Sequence, residues 1–298
     1  NTLTNKGRIV CTAGYKLTNG TAFINDAANG GTVEYKGTEL TVTDFGATDY
    51  ANLTISGSAT ANADIAVSGN CAISGSATFN GTLTVAGELN LSGSDTIAFN
   101  ATTNSGQITS ANTFSCTMTG GTLKFGRTSD TTTSFKVSSG GISIPSTVAT
   151  LTIAGTMDTS ADGGEQIYNC AVKLKGTPTT FNAGAGTVTF AGTVSNDSDI
   201  LSQGLTVTGN AVFKANATSS GDILVSGTTR VEGNSITLNA KGFAGTNGVL
   251  RLTGAVTLAA TATTFYSIDT MTFGSTIDGA TAQVNAVMVK NNLEEGQI

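Results

Sequence analysis

GTVEYKGT at Gly31–Thr38, GTLKFGRT at Gly121–Thr128 and GTVTFAGT at Gly186–Thr193 are three versions of one phrase. Each runs Gly-Thr, apolar, polar, aromatic, and is the length of a single strand. Shorter phrases repeat beside them: NLTISG (Asn52–Gly57) and DIAVSG (Asp64–Gly69) answer to GLTVTG (Gly204–Gly209) and DILVSG (Asp222–Gly227). A chain that repeats itself in strand-sized pieces reads as an array of stacked units. The spacings between phrases, 90 and 65 residues, divide into roughly four and three turns of a coil of about 22 residues, within the range of solenoid repeats.

Between the phrases the pattern is alternation over four to six residues, closed by Gly, Asn or Ser. In LTVAGELNLSG (Leu83–Gly93), Leu83 and Val85 share one side and Thr84 and Ala86 the other, and Leu89 and Leu91 resume after Gly87. Such alternation marks strands buried on one side, and no stretch carries a helical period. The expected fold is all-β, a right-handed parallel β-helix (β-solenoid) of roughly 22 residues per coil, right-handed because parallel crossovers are. Some thirteen coils, one strand spacing apart, make a rod on the order of 60 Å. Corners are expected to use Gly, Asn and Asp for their tolerance of positive φ. The body is read as residues 31–283. Residues 1–30 are read as an N-terminal cap or assembly segment, and 284–298 as a C-terminal strand and tail that can serve assembly.

Composition narrows the function classes. Charged residues are 11% of the 298, against an ordinary share of about 25%, while hydrophobic residues reach 39%. The chain can therefore form a core, and its exterior is solvated by hydroxyls and amides. A net charge of −6 argues against a nucleic-acid partner, which needs clustered Lys and Arg. No apolar run approaches the roughly 18 residues of a membrane span. The first residue is Asn, as in a processed mature protein or an excised fragment, and the expected location is extracellular or cell-surface.

The stretches FNAGAGTVTFAGT (Phe181–Thr193) with GLTVTGNAVF (Gly204–Phe213), and LTISGSATANADIAVSGNCAISGSATFNGTLTVAGELNLSG (Leu53–Gly93), resemble repeats of bacterial surface and secreted β-solenoids. The similarity is to autotransporter passengers and filamentous-haemagglutinin-like proteins. That resemblance covers most of Gly31 to Gly274 and implies an extracellular adhesin, stalk or matrix component. It carries over no catalytic motif.

Individual residues add less. Cys11, Cys71, Cys116 and Cys170 share parity with apolar neighbours and are read as inward thiols rather than disulfides. With no His in the chain, Ser-His-Asp and Cys-His systems are excluded. Carboxylate chemistry of the polysaccharide-cleaving kind has as its nearest candidates Asp158, Asp162 and Glu165 in MDTSADGGE, and Asp197 with Asp199 in SNDSD. The same oxygens are the weak candidates for calcium, the one cofactor considered, against a plain reading as solvated turns. Sequons occur at Asn19, Asn52, Asn80, Asn90, Asn100, Asn196 and Asn216 and are attributed to chance in a chain this rich in Asn, Ser and Thr. Thr-x-Thr pairs at Thr41/Thr43, Thr82/Thr84, Thr187/Thr189 and Thr206/Thr208 would suit an ice-binding face only if stacked in register.

The leading expectation is a non-enzymatic structural protein, a subunit or stalk of a bacterial surface filament or adhesin that assembles through its solenoid ends. Its partners would be further copies of itself or neighbouring surface proteins, with glycans as a further possibility. The alternatives are a carbohydrate-binding or polysaccharide-cleaving β-helix and an ice-binding solenoid.

Overall fold

The computed structural model describes residues 2–13, 22–26, 30–45, 50–100, 108–126, 134–175, 178–197, 203–241, 248–267, 269–274, 276–278 and 283–288. Every strand pairing among them is parallel, and strands paired to one another lie one coil apart in sequence. The chain is a three-sided β-solenoid. Each coil lays one strand on each of three faces, here A, B and C. One coil, for example, runs through Asn52–Ile55 on A, Ser58–Ala61 on B and Ile65–Val67 on C. No helix occurs among the described residues, so none is long and apolar enough to cross a membrane.

Face B shows the stacking most plainly. Its registers run unbroken from Leu40 through Ala59, Ala77, Ile97, Leu123, Leu151, Val172, Val194, Ala217, Leu238 and Phe265 to Ala286. These twelve strands span 246 residues in eleven steps, about 22 residues per coil. At about 4.8 Å per strand the ladder is roughly 53 Å long, slightly shorter than thirteen coils would make it. Single steps vary from 18 to 28 residues. Much of the variation falls at the corner between faces B and C. There, three residues join Ser58–Ala61 to Ile65–Val67, eight join Thr96–Phe99 to Ile108–Cys116, and nine join Thr229–Ala240 to Leu250–Leu252.

On face A the ladder starts at Arg8–Cys11, which pairs with Thr32–Tyr35. It continues to Thr113–Cys116 and resumes from Ile142–Ile144 to Ile277–Asp278, with no strand pairing among the described residues joining the two runs. Phe114 and Cys116 border this break and are only partly buried, so Cys116 departs from the fully inward position its parity suggests.

The interior is a set of stacked columns. Phe79, Phe99 and Phe125 lie face to face on successive coils, with ring centroids 5.5 and 5.3 Å apart. Tyr168, Phe190 and Phe213 repeat the arrangement at 5.7 and 5.3 Å. Parallel coils dictate this, because residues of equal parity in one column must sit over one another, and offset aromatic stacking contributes beyond burial.

Corners are held in two ways. Asn and Asp side chains accept the backbone N–H of the next coil: Asn52 Oδ1 from Asn70 (3.0 Å), Asn70 Oδ1 from Glu88 (2.9 Å) and Asp64 Oδ1 from Thr82 (2.7 Å). Glycines allow backbones to touch. A Cβ on Gly57 would lie 2.1 Å from the Gly37 carbonyl oxygen, and one on Gly75 would lie 2.0 Å from that of Gly57. Neither residue has positive φ. At this corner the reason for glycine is therefore close approach between coils, rather than the left-handed backbone expected from sequence. Gly93, one coil further on, combines both, with φ of 79° and a Cβ position 2.1 Å from the Ser74 oxygen.

Candidate functional site

The acidic candidates do separate jobs. Asp158 ends the strand Thr156–Asp158, and its carboxylate accepts the N–H (2.9 Å) and hydroxyl (2.6 Å) of Ser160, closing a local turn. Asp162 accepts the Gly140 N–H of the preceding coil at 3.0 Å. Glu165 is exposed, and its carbonyl oxygen, not its carboxylate, accepts Ile142 N–H. Asp197 lies at the B–C corner 3.4 Å from Lys175, and Asp199 lies outside the described residues. Among the described residues no group of three or more Cys, Asp or Glu side chains is gathered so as to hold a metal ion. Excess calcium is accordingly expected to leave the thermal midpoint unchanged, as differential scanning fluorimetry with and without a chelator would show.

Gln166, in the same segment, is fully buried, and sequence reading passed over it. Its Nε2 donates to the carbonyls of Met157 and Asn182 (both 3.0 Å) and to Thr159 Oγ1 (3.2 Å), while its Oε1 accepts from Tyr168 Oη at 2.9 Å. The network is satisfied and pins the corner before Gln166. Its only trace in the sequence is parity, since Gln166 shares the inward side with Tyr168. Burial pushes the Tyr168 phenol well above its ordinary value, with the Cys170 thiol adding to it, so it acts as a neutral donor.

Glu34 is the one buried carboxylate among the described residues. Ser56 Oγ donates to it at 2.5 Å and the Arg8 guanidinium pairs with it. The Ser56 hydroxyl, aided by Arg8 and Lys36 against the cost of burial, holds its carboxyl below the ordinary value of 4.5. A carboxyl depressed in the folded state stabilises above its unfolded value, and that contribution is lost as pH falls through the folded one. Glu34→Gln is expected to lower the urea midpoint near neutral pH, with the gap to the parent closing below pH 4.5.

The four cysteines are free thiols. Desolvation pushes Cys71 up to about 12 and Cys170 up to about 11. Because the thiolate is the reacting species, alkylation of the native protein at mildly alkaline pH is expected to modify half-buried Cys116 first. Cys71 and Cys170 should react only on unfolding, as peptide mapping would resolve.

Several sequons are spent on structure. Asn52, Asn196 and Asn216 accept N–H groups from the next coil, and Asn80 bonds Asn62 and Asn100. Asn19 lies outside the described residues. Tyr35, Tyr50 and Tyr168 are core residues, and Tyr266 stands half-buried on face B.

The four Thr-x-Thr pairs do not share a face. Thr41/Thr43 begins on B, Thr82/Thr84 and Thr206/Thr208 lie on C, and Thr187/Thr189 on A. A different set does align. On face B the residues alternating with the core column on five successive coils are Ser58/Thr60, Ser76/Thr78, Thr96/Ala98, Thr122/Lys124 and Thr150/Thr152, each pair stacked on the last, with Ala98 and Thr152 buried. Eight of these ten positions carry a hydroxyl. Further along, the same columns carry Ala171/Lys173, Thr193/Ser195, Asn216/Thr218, Thr237/Asn239 and Thr264/Tyr266, so hydroxyls continue with interruptions.

No protein-family model, curated protein or solved structure matches the chain.

Proposed function

We propose that this chain is a non-enzymatic structural protein of a bacterial cell surface, a subunit or stalk segment of an extracellular filament or adhesin. The observation that carries this reading is the unbroken twelve-strand ladder of face B over a continuous stacked core. Backbone hydrogen bonds in a parallel solenoid run along its axis, so pulling on the rod loads many bonds together. The low charge leaves little repulsion between neighbouring copies. Assembly through the ends fits the edge strands, since Thr2–Asn5 and Gln283–Met288 each pair with a single strand among the described residues. A contact of that kind, repeated head to tail, does not close and so builds a filament.

The resemblance to autotransporter-passenger and haemagglutinin-like repeats supports the same reading. Negative-stain electron microscopy of the purified chain tests it. Uniform filaments that lengthen with protein concentration are the expected result. Separate short rods at every concentration would remove end-to-end assembly from the account.

A further inference from the structure

We infer that the end-to-end contact has one register, set on face A: Arg8–Cys11 of one copy of this chain pairs with Ile277–Asp278 of the next. This rests on the filament reading above and adds which residues meet. Among the described residues, Arg8–Cys11 is laddered only to Thr32–Tyr35, and Ile277–Asp278 only to the long strand Val256–Ser267. Each is an outermost rung of face A, and an outermost rung is a template for a further strand. Face C ends in the same way. Met271–Phe273 pairs only with Leu250–Leu252 among the described residues. Thr2–Asn5, which precedes Arg8–Cys11 as face C strands precede face A strands, pairs only with Ala22–Asn25. A copy seated on face A therefore also brings these two strands together.

Two observations select the register and the occupant. The first is apolar. Ile9 and Ile277 are inward residues, aligned with the buried Val33 and Val256, yet each is only partly buried against the core. Setting Ile9 of one copy over Ile277 of the next continues the stacking that the interior coils already use. It also brings a neighbouring rung alongside Val10, which at 42% is the one exposed large hydrophobic residue among those described.

The second observation is charge. Val10 is aligned with Glu34, and the Arg8 guanidinium reaches across to pair with that carboxylate. With Ile9 over Ile277, Asp278 falls on the opposite side of Val10, in the place that mirrors Glu34. The Arg8 side chain is 62% exposed, so it can stand between two carboxylates, one from its own chain and one from the neighbour. Asp278 is exposed and makes no hydrogen bond or ion pair among the described residues. The surroundings agree in sign, with exposed Lys6 beside Arg8 and Asp269 just before the outermost strand of face C. Opposite charges across a strand pair stabilise it and like charges oppose it. Two copies meeting through the same edge would place like charges together, so the second copy sits head to tail, a contact that does not close.

The test measures filament mass by sedimentation for the parent, Asp278→Arg and, as a control on a lateral face, Lys124→Glu. Circular dichroism checks that both variants keep the parent fold. The expected result is a several-fold rise in the concentration needed for assembly in Asp278→Arg and parent-like assembly in Lys124→Glu. A second measurement does not depend on charge. The single variants Val10→Cys and Asp278→Cys are mixed, assembled, mildly oxidised and mapped by mass spectrometry. Adjacent rungs about 4.8 Å apart lie within the reach of a disulfide, so the two new thiols should cross-link between copies. Parent-like assembly of Asp278→Arg, or filaments of the mixture without that cross-link, overturns this register and leaves the filament reading standing. Absence of filaments in the parent overturns both.

Discussion

Phe190→Ala is expected to be among the most damaging single substitutions in the chain, costing about 3–5 kcal/mol, the usual range for deleting a buried phenyl ring. Phe190 is fully buried, and its ring touches three others: Phe181 at 5.0 Å, Phe213 at 5.3 Å and Tyr168 at 5.7 Å. Two of those neighbours belong to adjacent coils, so the cavity would open inside the column rather than at its edge. The coils cannot close onto it, because their spacing is set by backbone ladders on all three faces. A stacked array unfolds through nearest-neighbour units. Hydrogen exchange should therefore accelerate in the coils between Gln166 and Val231 more than near Ile55. Phe114→Ala supplies the comparison: Phe114 is half-buried at the break in face A, and its loss should cost clearly less. Urea unfolding of both variants measures the difference. A cost below about 1 kcal/mol for Phe190→Ala would mean that the core is far looser than native packing.

Gly75→Ala is the second large effect, and it would arise without removing any atom. The added methyl would lie 2.0 Å from the Gly57 carbonyl oxygen and 2.8 Å from the Ser56 carbonyl carbon. Both are backbone atoms of the coil below, so neither can swing aside, and the corner must open. Overpacking of this kind costs about 1–3 kcal/mol and occasionally more. Gly7→Ala is the control, since a methyl there meets nothing within 4 Å and the residue lacks positive φ. That substitution should be neutral or slightly stabilising, because alanine restricts the unfolded chain. Thermal midpoints of the two variants should move apart. Equal midpoints would show that the glycine column is incidental.

The strands were legible in the sequence because one side of each is buried, and alternation reports that directly. Leu83, Val85, Leu89 and Leu91 all point inward as read, and Cys71 stands in the column between Leu53 and Leu89. Coil length was legible through the first and third copies of the opening phrase. Val33 and Val188 both lie on face A, 155 residues and seven coils apart. The second copy misleads, because Leu123 lies on face B. The phrase encodes how any strand meets a corner, not which face it occupies.

Faces stay hidden because long connections between B and C shift the count without marking the strands around them. That is also why the alignment of residues along face B is not visible in the sequence. Ser58, Ser76, Thr96, Thr122 and Thr150 are separated by 18, 20, 26 and 28 residues, and only the register lines them up. The acidic clusters failed in the opposite sense. Asp158, Asp162 and Glu165 are close in sequence, yet the turn directs the two aspartates to different backbone partners.

The mechanical reading depends on the register of face B, and a disulfide ruler measures it. Thr122 and Thr150 are 28 residues apart in sequence but adjacent rungs in the ladder. Adjacent rungs lie about 4.8 Å apart, inside the Cα separation that a disulfide spans. The paired variant Thr122→Cys/Thr150→Cys, mildly oxidised and mapped by mass spectrometry, should cross-link nearly completely while native. Thr122→Cys/Thr193→Cys, three rungs apart, should not. Failure of the first pair, or equal cross-linking of the second, would contradict the stacked-coil register and with it the filament built upon it.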